Sequence, residues 1–490
     1  MLTAGARPFV SALAGGALIF AAASLALVAV LFALSPQFAW ETYQNARPTL
    51  QAAVILAGAG GFAAIAWWGW SLPASAPRDQ LWPALLSIAA IGFAMRLFFL
   101  GGPAIWEDDY FRYLWDGAQI AHGIDPYRWS VYDIVGWTER TPPSALQDLA
   151  AKAGQTFERV NNPQLATIYP PVAQAFFALS YILAPYDFTV WRLLTFAADA
   201  ATFVLLARAL SSQNLNPLWA AAYWVNPLVA KEAVNSAHVD ALMGPFLVLA
   251  LHFAAQGKGL RAAGMAGLAA GIKLWPVLLV PQLARSVWGK GRLPSLRWIA
   301  CGALASLMLG LWIAPMAAAQ AAGAASGAAA YAESWQRNSW LFALSLDAVT
   351  AMVRAADAIA TIDPNLIARA GAAAAASIAA LAIAAPAVGA FQQLAFRLFL
   401  VSVIWFLLLP AQYPWYAASF VVFAAAARAQ ASVAAITILL PLYYALKGFV
   451  AIDREDLADL MPWLQHPAIL AAVIYDAWRQ FARSPDRSLT

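Results

Sequence analysis

Charge is what this sequence has least of. Asp, Glu, Lys and Arg supply 11% of its 490 residues, against 62% hydrophobic. Soluble domains run at about a quarter charged and about half apolar, so the chain is not one of them. Cysteine is nearly missing as well. The single Cys301 lies inside an apolar run, which excludes a disulfide framework and a thiolate metal site. No basic stripe exists either: the net charge of +4 comes from dispersed residues, which argues against a nucleic-acid partner. Gly58-Ala59-Gly60-Gly61 is followed by no phosphate-loop pattern, and no dinucleotide or Walker-type fingerprint occurs elsewhere. An activated substrate is therefore not expected to arrive as a nucleotide, and no organic cofactor is expected.

What the chain has instead is a succession of long uncharged runs. In lipid only helices and closed barrels satisfy their own backbone, and these Ala/Leu-rich runs lack the alternation of barrel strands. The expected class is all-α and polytopic. Arg7 followed by the run Phe9 to Leu34 is too long for a cleaved signal and reads as a retained first span. Placing the short-loop Lys and Arg residues on the cytoplasmic side gives spans near 9–34, 50–71, 81–100, 188–210, 217–234, 239–255, 296–317, 367–390, 394–411, 413–427, 433–450 and 464–480, about twelve in all. Tyr169 to Ala184 is expected to lie on or dip into the outer leaflet. Leu260 to Leu283, interrupted near Gly271, Lys273 and Pro276, is expected to be a hairpin of two half-helices, and Gly264, Gly267 and Gly271 favour close helix packing. The whole of 1–490 reads as one membrane domain, with N-terminal spans in 1–80 and long outer stretches at 101–168 and 321–364.

Against that background, Trp106 to Tyr127 stands out. It carries Glu107, Asp108, Asp109, Asp116 and Asp125 at the end of the run Leu81 to Leu100. In a helix, Asp109, Arg112 and Asp116 fall at i, i+3 and i+7 on one face, with Tyr110, Tyr113 and Trp115 beside them. Gly123-Ile124-Asp125-Pro126-Tyr127 then supplies turn chemistry. Carboxylates beside aromatic rings suit sugar chemistry, one acid accepting a hydroxyl proton and others binding hydroxyls or a metal. The bland alternative is a juxtamembrane acidic rim. A second polar group, Lys231 and Glu232 followed by His238 and Asp240, falls at the outer end of two spans, where ionisable residues are costly and usually face a cavity. The plain reading there has Lys231 paired with Glu232, and Arg192 neutralised by Asp199 one span earlier. Lys273 within G-I-K-L-W-P, Arg337 with Tyr331 and Trp335, and Tyr413-Pro414-Trp415-Tyr416 complete the candidates.

D-D-Y-F-R-Y-L-W-D-G, G-I-D-P-Y and N-N-P-Q-L-A-T-I-Y-P-P (Asn161 to Pro171) resemble the bacterial membrane glycosyltransferases of the GT-C class. Among these the chain is most similar to polyprenyl-phosphate-dependent mannosyltransferases and their PIG-M-like or GT87-like relatives. H-V-D, G-I-K-L-W-P, the Trp335–Asn338 region and P-W-Y follow in that order. The resemblance implies a GT-C-like fold and inverting transfer on the outer face of a bacterial inner membrane. The sugar, a hexose such as mannose, comes from a polyprenyl-phosphate lipid and goes to a glycan or glycolipid hydroxyl. It maps the base to Asp108, our first choice, or Asp109, with Glu107 as a supporting acid. Arg112, Tyr113, Lys231, His238, Asp240, Lys273, Arg337, Tyr413 and Trp415 become the substrate- and donor-binding candidates. Three adjacent acids permit a divalent metal without requiring one. The competing class is a transporter or lipid flippase with Asp199, Lys231 and Lys273 along its pathway, but such proteins commonly show paired broken segments, and only one occurs in this sequence.

Overall fold

The structure is a computed structural model that describes residues 78–288, 295–356, 362–387, 389–450 and 452–482, together with 32–38 and a few isolated earlier positions. The spans expected at 9–34 and 50–71 lie largely outside the described residues. Within these the protein is all-helical, with no β-strand and one isolated bridge between Arg337 and Ala411. Six described helices are long and apolar enough to cross a membrane, seven if one bent pair counts as a span. The six are α1 (Arg78–Gly101), α5 (Phe188–Ser212), α8 (Leu296–Ala321), α11 (Pro364–Ala384), α12 (Phe391–Leu408) and α16 (Glu455–Ala482).

The expected twelve crossings are therefore not reached among the described residues, and the helix breaks show why. Residues 217–234 and 239–255 are not two simple spans. They form short helical pieces ending in Pro227–Asn235 and Val239–Ala255, bent by 104° where Ser236 to His238 interrupt them; the second piece ends in α6 (Gly244–Ala255). Likewise α13 (Pro414–Ala427), α14 (Gln430–Leu439) and α15 (Tyr443–Val450) are each shorter than the ~20 residues a crossing needs. The broken hairpin is present: α7 (Gly259–Ala270) stops at Gly271, and a 3-10 turn, Trp275–Leu279, leads into Val280–Leu283.

The stretch between α1 and α5 folds as short helices packed on the bundle. They include α2 (Asp109–Ala121), α3 (Ser144–Ala153) and α4 (Pro171–Leu183). At 13 residues α4 is too short to cross, so 169–184 is not a simple span. It lies against α2 at Gly117, where a Cβ would come within 2.2 Å of the Phe177 carbonyl oxygen. The first amides of α4, from Val172 and Ala173, donate to the carbonyl of Gly271 at 2.9 and 3.1 Å, and a Cβ there would strike Val172. Those two bonds fasten the α2/α4 layer to the break in the hairpin, beside Lys273. The stretch 321–364 contains α9 (Gly327–Glu333) and α10 (Leu341–Ala355).

One pairing differs from expectation. Asp199 does not neutralise Arg192. Its carboxylate meets the Arg96 guanidinium of α1 at 2.6 Å, both side chains fully buried. Arg192 instead donates to the carbonyls of Leu100, Gly102 and Asn235. The swap has a simple cause. Arg96 lies inside the membrane run, where a buried charge needs an opposite one, whereas Arg192 sits at a span end where free carbonyls abound.

Candidate active site

The acidic stretch begins where α1 ends. Asn235 fixes its path: its side-chain oxygen accepts from the Ile105 amide at 2.8 Å, and its Nδ2 donates to the Pro103 carbonyl at 2.9 Å. Asn235 closes a π-helical turn, Lys231–Asn235, and such turns concentrate at functional sites. Two non-glycine residues then take left-handed backbone conformations, Trp106 (φ 51°) just before Glu107 and Ala237 (φ 53°) just before His238. Each costs roughly 1–2 kcal/mol. Trp191 holds one of them, its indole N–H donating to the Ala237 carbonyl at 2.8 Å.

The result is a direct meeting of the two sequence groups. His238 Nε2 lies 2.8 Å from Glu107 Oε2, and Nδ1 lies 3.6 Å from Asp109 Oδ2. Glu107 is buried, and its Oε1 accepts the backbone N–H groups of Asp108 and Asp109, each at 3.2 Å. Asp108 opens α2 without capping it through its side chain. Asn161 connects the other two acids, its Nδ2 donating to Asp109 Oδ1 at 2.6 Å and Asp108 Oδ1 at 3.2 Å. Arg112 in turn holds Asn161 and Asn162 by their carbonyls at 2.6 and 3.1 Å.

These groups line a cavity of about 330 Å³. Its wall includes Glu107, Asp108, Asp109, Arg112, Tyr113, Asp240, Lys273, Tyr413 and Trp415, nine of the twelve residues selected from sequence. Both oxygens of Asp240 accept from Lys273 Nζ at 2.9 Å, and the ammonium sits 3.5 Å over the Tyr416 ring. His238, Trp415 and Tyr413 stack as three parallel rings, with centroids 4.1 and 4.5 Å apart. The remaining three stand elsewhere. His238 lies behind Glu107 and Asp109. Lys231 turns into the core toward Glu232, at 3.3 Å, and the Tyr444 ring. Arg337 is exposed, and its backbone, not its side chain, pairs with Pro410 and Gln412. Residues missed as site members include Asn161, Tyr169 and Tyr444. The N-N-P run was the available signal for Asn161, whereas nothing local marks the two tyrosines.

Burial and the Glu107 carboxylate raise the Asp109 carboxyl from its ordinary range to about 7, against the opposing pull of His238 and the Asn161 hydrogen bond. Burial raises Asp116 to about 6, with Arg112, Thr167 and Gln174 pulling the other way. Asp116 is fully buried and accepts from Gln174 at 3.2 Å, a bracing role between α2 and α4. Asp125 accepts from the Tyr127 amide and closes the turn. Glu107, Asp109 and His238 each offer a ligand atom within 4.8 Å of the others, an oxygen and nitrogen set of the kind divalent cations take.

Residues 10–289 match the MptA/B family, described as alpha-(1->6)-mannopyranosyltransferase, N-terminal domain. The match spans more than half of the chain and includes the acidic stretch, the π turn and Lys273. The chain belongs to this family. It is thus a glycosyltransferase and a mannosyltransferase by kinship, carried on membrane helices, and the transporter class is not favoured. The mannosyltransferase resemblance holds, while the match names no PIG-M-like or GT87-like subgroup. No curated protein and no solved structure matches the chain.

Proposed function

We propose that this mannosyltransferase moves mannose from a polyprenyl-phosphate lipid to a glycan or glycolipid hydroxyl, with inversion, on the outer face of a bacterial inner membrane. Within this reading the GT-C kinship suggested by the motifs, including its PIG-M-like and GT87-like branch, is retained as the working relationship. The observation that carries the reading is the pair of carboxylates, Asp108 and Asp109, held on one Asn161 amide in a cavity at the ends of the spans.

Asp109 is the base in this reading. A general base works best when its own pKa lies near the operating pH, and its carboxyl is the one raised to about 7. Asp108 then orients the attacking hydroxyl. Glu107 and His238 hold the base in place, and the Tyr413/Trp415 stack offers ring faces to a sugar. Lys273 lies on the cavity wall where a departing lipid phosphate gains from a cation. A second version follows from the potential ligand set. If a divalent ion occupies Glu107, Asp109 and His238, Asp109 is engaged and Asp108 becomes the base.

The test uses the full chain in proteoliposomes, supplied with polyprenyl-phosphate mannose or nucleotide-linked mannose and a mannoside acceptor, with and without chelator. Transfer from the lipid donor alone supports the reading. Transfer from the nucleotide sugar alone overturns it, and loss of activity on chelation selects the metal-bound version. Trp137 is 70% exposed in the loop layer, so Trp137→Cys in a Cys301→Ser background reports the side. Labelling from the cytoplasmic side only would contradict the outer-face assignment.

A further inference from the structure

The Tyr413/Trp415 wall of the acidic cavity springs from a corner of the chain that has its own fastening. Gln412, fully buried, immediately precedes Tyr413. Its Nε2 donates to the carbonyls of Leu407 and Leu409 at 2.9 and 3.0 Å, closing the end of α12. Its backbone amide donates to the Arg337 carbonyl at 2.9 Å, and the Arg337 amide donates to the Pro410 carbonyl at 2.9 Å. The corner is thus laced to the stretch that follows α9. That stretch also reaches the rings themselves. The Trp335 indole donates to the Tyr413 hydroxyl at 2.8 Å, and the hydroxyls of Tyr331 and Tyr416 stand 3.0 Å apart.

Asn338 completes the fastening. It is buried and takes a left-handed backbone conformation (φ 53°), which asparagine adopts more readily than most residues that carry a Cβ. From there its Nδ2 donates twice, to the Gln412 carbonyl at 3.2 Å and to Gln465 Oε1 at 3.0 Å. Gln465 is fully buried in α16, between Pro462 and Pro467. One side-chain amide therefore ties α16 to the carbonyl next to Tyr413. Backbone strain held by surrounding partners gathers at sites where a group must be placed, and what this corner places is the ring wall. Tyr413 and Trp415 are half-buried and line the cavity. Trp415 stacks on His238, the imidazole that contacts Glu107 and Asp109. The negative face of an aromatic ring attracts the C–H groups of a hexose, while the hexose hydroxyls remain free to meet the carboxylates opposite.

We propose that Asn338 and Gln465 are positioning residues, and that the wall they set is the platform for the sugar of the acceptor. In the proposed chemistry Asp109 takes the proton of the acceptor hydroxyl, so the sugar beside its neighbours His238 and Trp415 is the acceptor's. The choice of acceptor rests on that reading of Asp109; the placing of the wall does not. Both positioning residues lie outside residues 10–289, the part of the chain that the family match covers.

The experiment measures initial rates of the full chain in proteoliposomes, varying the mannoside acceptor and polyprenyl-phosphate mannose in turn. Acceptor binding is measured alongside, without donor. Wild type is compared with Gln465→Leu, Asn338→Gly and the double variant. Gln465→Leu is expected to raise the acceptor KM about 3- to 10-fold, the weight of one neutral hydrogen bond, with kcat and the donor KM unchanged. Asn338→Gly keeps the left-handed corner but removes both bonds, so its acceptor KM should rise further, and the double variant should match it. Where Gln465→Leu does not fold, Asn338→Gly carries the same test. A merely structural role would lower the folded fraction, and with it the apparent kcat, while leaving KM in place. That result overturns the proposal, as does an unchanged acceptor KM in Asn338→Gly, or single effects that multiply in the double variant. If the variants weaken acceptor binding while Asp109→Asn transfers at the full rate, the platform stands and the reading of Asp109 as base falls.

Discussion

Two stretches of this chain crowd acidic residues at the end of a span, and they have opposite fates. Glu107, Asp108 and Asp109 follow α1; Asp453, Glu455 and Asp456 open α16. In the second stretch the charges stay in water. Arg454 clasps Asp456 at 2.7 Å, with the two side chains 51% and 63% exposed. Glu455 and Asp456 occupy the first turn of a helix, where negative charge is favoured by the helix dipole. In the first stretch the acids turn inward onto His238, Asn161 and one another, at the cost of desolvation and two left-handed residues. By composition the two are alike. What separates them is a buried partner from a distant part of the chain, since His238 lies more than a hundred residues beyond Glu107.

The comparison can be sharpened by experiment. Short of replacing Asp108 or Asp109, the largest effect expected is on pH dependence. A base must be unprotonated, and a carboxyl raised to about 7 is mostly protonated at low pH, so transfer should rise as pH is raised through about 7. Two pH units below that value the rate should fall roughly 100-fold. Glu107→Gln removes one cause of the raised value, so the limb should move toward lower pH; an unmoved limb would separate Glu107 from the titrating group. Next comes Asn161→Ala, which releases both carboxylates. Misplacement of this kind costs roughly 100-fold in turnover, and donor binding measured alongside should change far less. Asp199→Asn lies outside the acidic cavity but leaves Arg96 buried without its counter-charge. It should destabilise the fold by about 3–5 kcal/mol, read as a lower melting temperature, with turnover per folded molecule preserved. The smallest effect belongs to the other acidic stretch. Asp456→Asn should leave transfer unchanged, and a large loss there would erase the distinction drawn above.

The helix of the site was legible because its spacing is local. Asp109, Arg112 and Asp116 share α2 as their i, i+3, i+7 order requires, and the break at Gly271 marks the hairpin that brings Lys273 to the cavity. Burial of Glu232 against Lys231 was legible too, from adjacency alone. Other features depend on contacts that no local pattern encodes. Arg96 and Asp199 find each other across 103 positions of sequence, so Arg192 was the nearer and mistaken partner. Lys231 is a donor-binding candidate by sequence, but its ammonium turns inward onto the Tyr444 ring, 213 positions away. Span counting failed to anticipate the short, bent helices for a related reason. Hydropathy places the break between 234 and 239 but registers 217–234 as one run, without the interruption at Val225 and Asn226 that divides it into short helices.

The central claim is that Asp108 and Asp109 perform the transfer chemistry, and single-turnover transfer from polyprenyl-phosphate mannose tests it most directly. Wild type, Asp108→Asn and Asp109→Asn would be compared at saturating donor, with donor binding measured on the same preparations. The account predicts that Asp109→Asn lowers the rate by roughly 100- to 10,000-fold while donor still binds, and that Asp108→Asn lowers it less. If chelation also abolishes activity, the order of the two should reverse. Full transfer rates in both variants would contradict the assignment of chemistry to this acidic stretch.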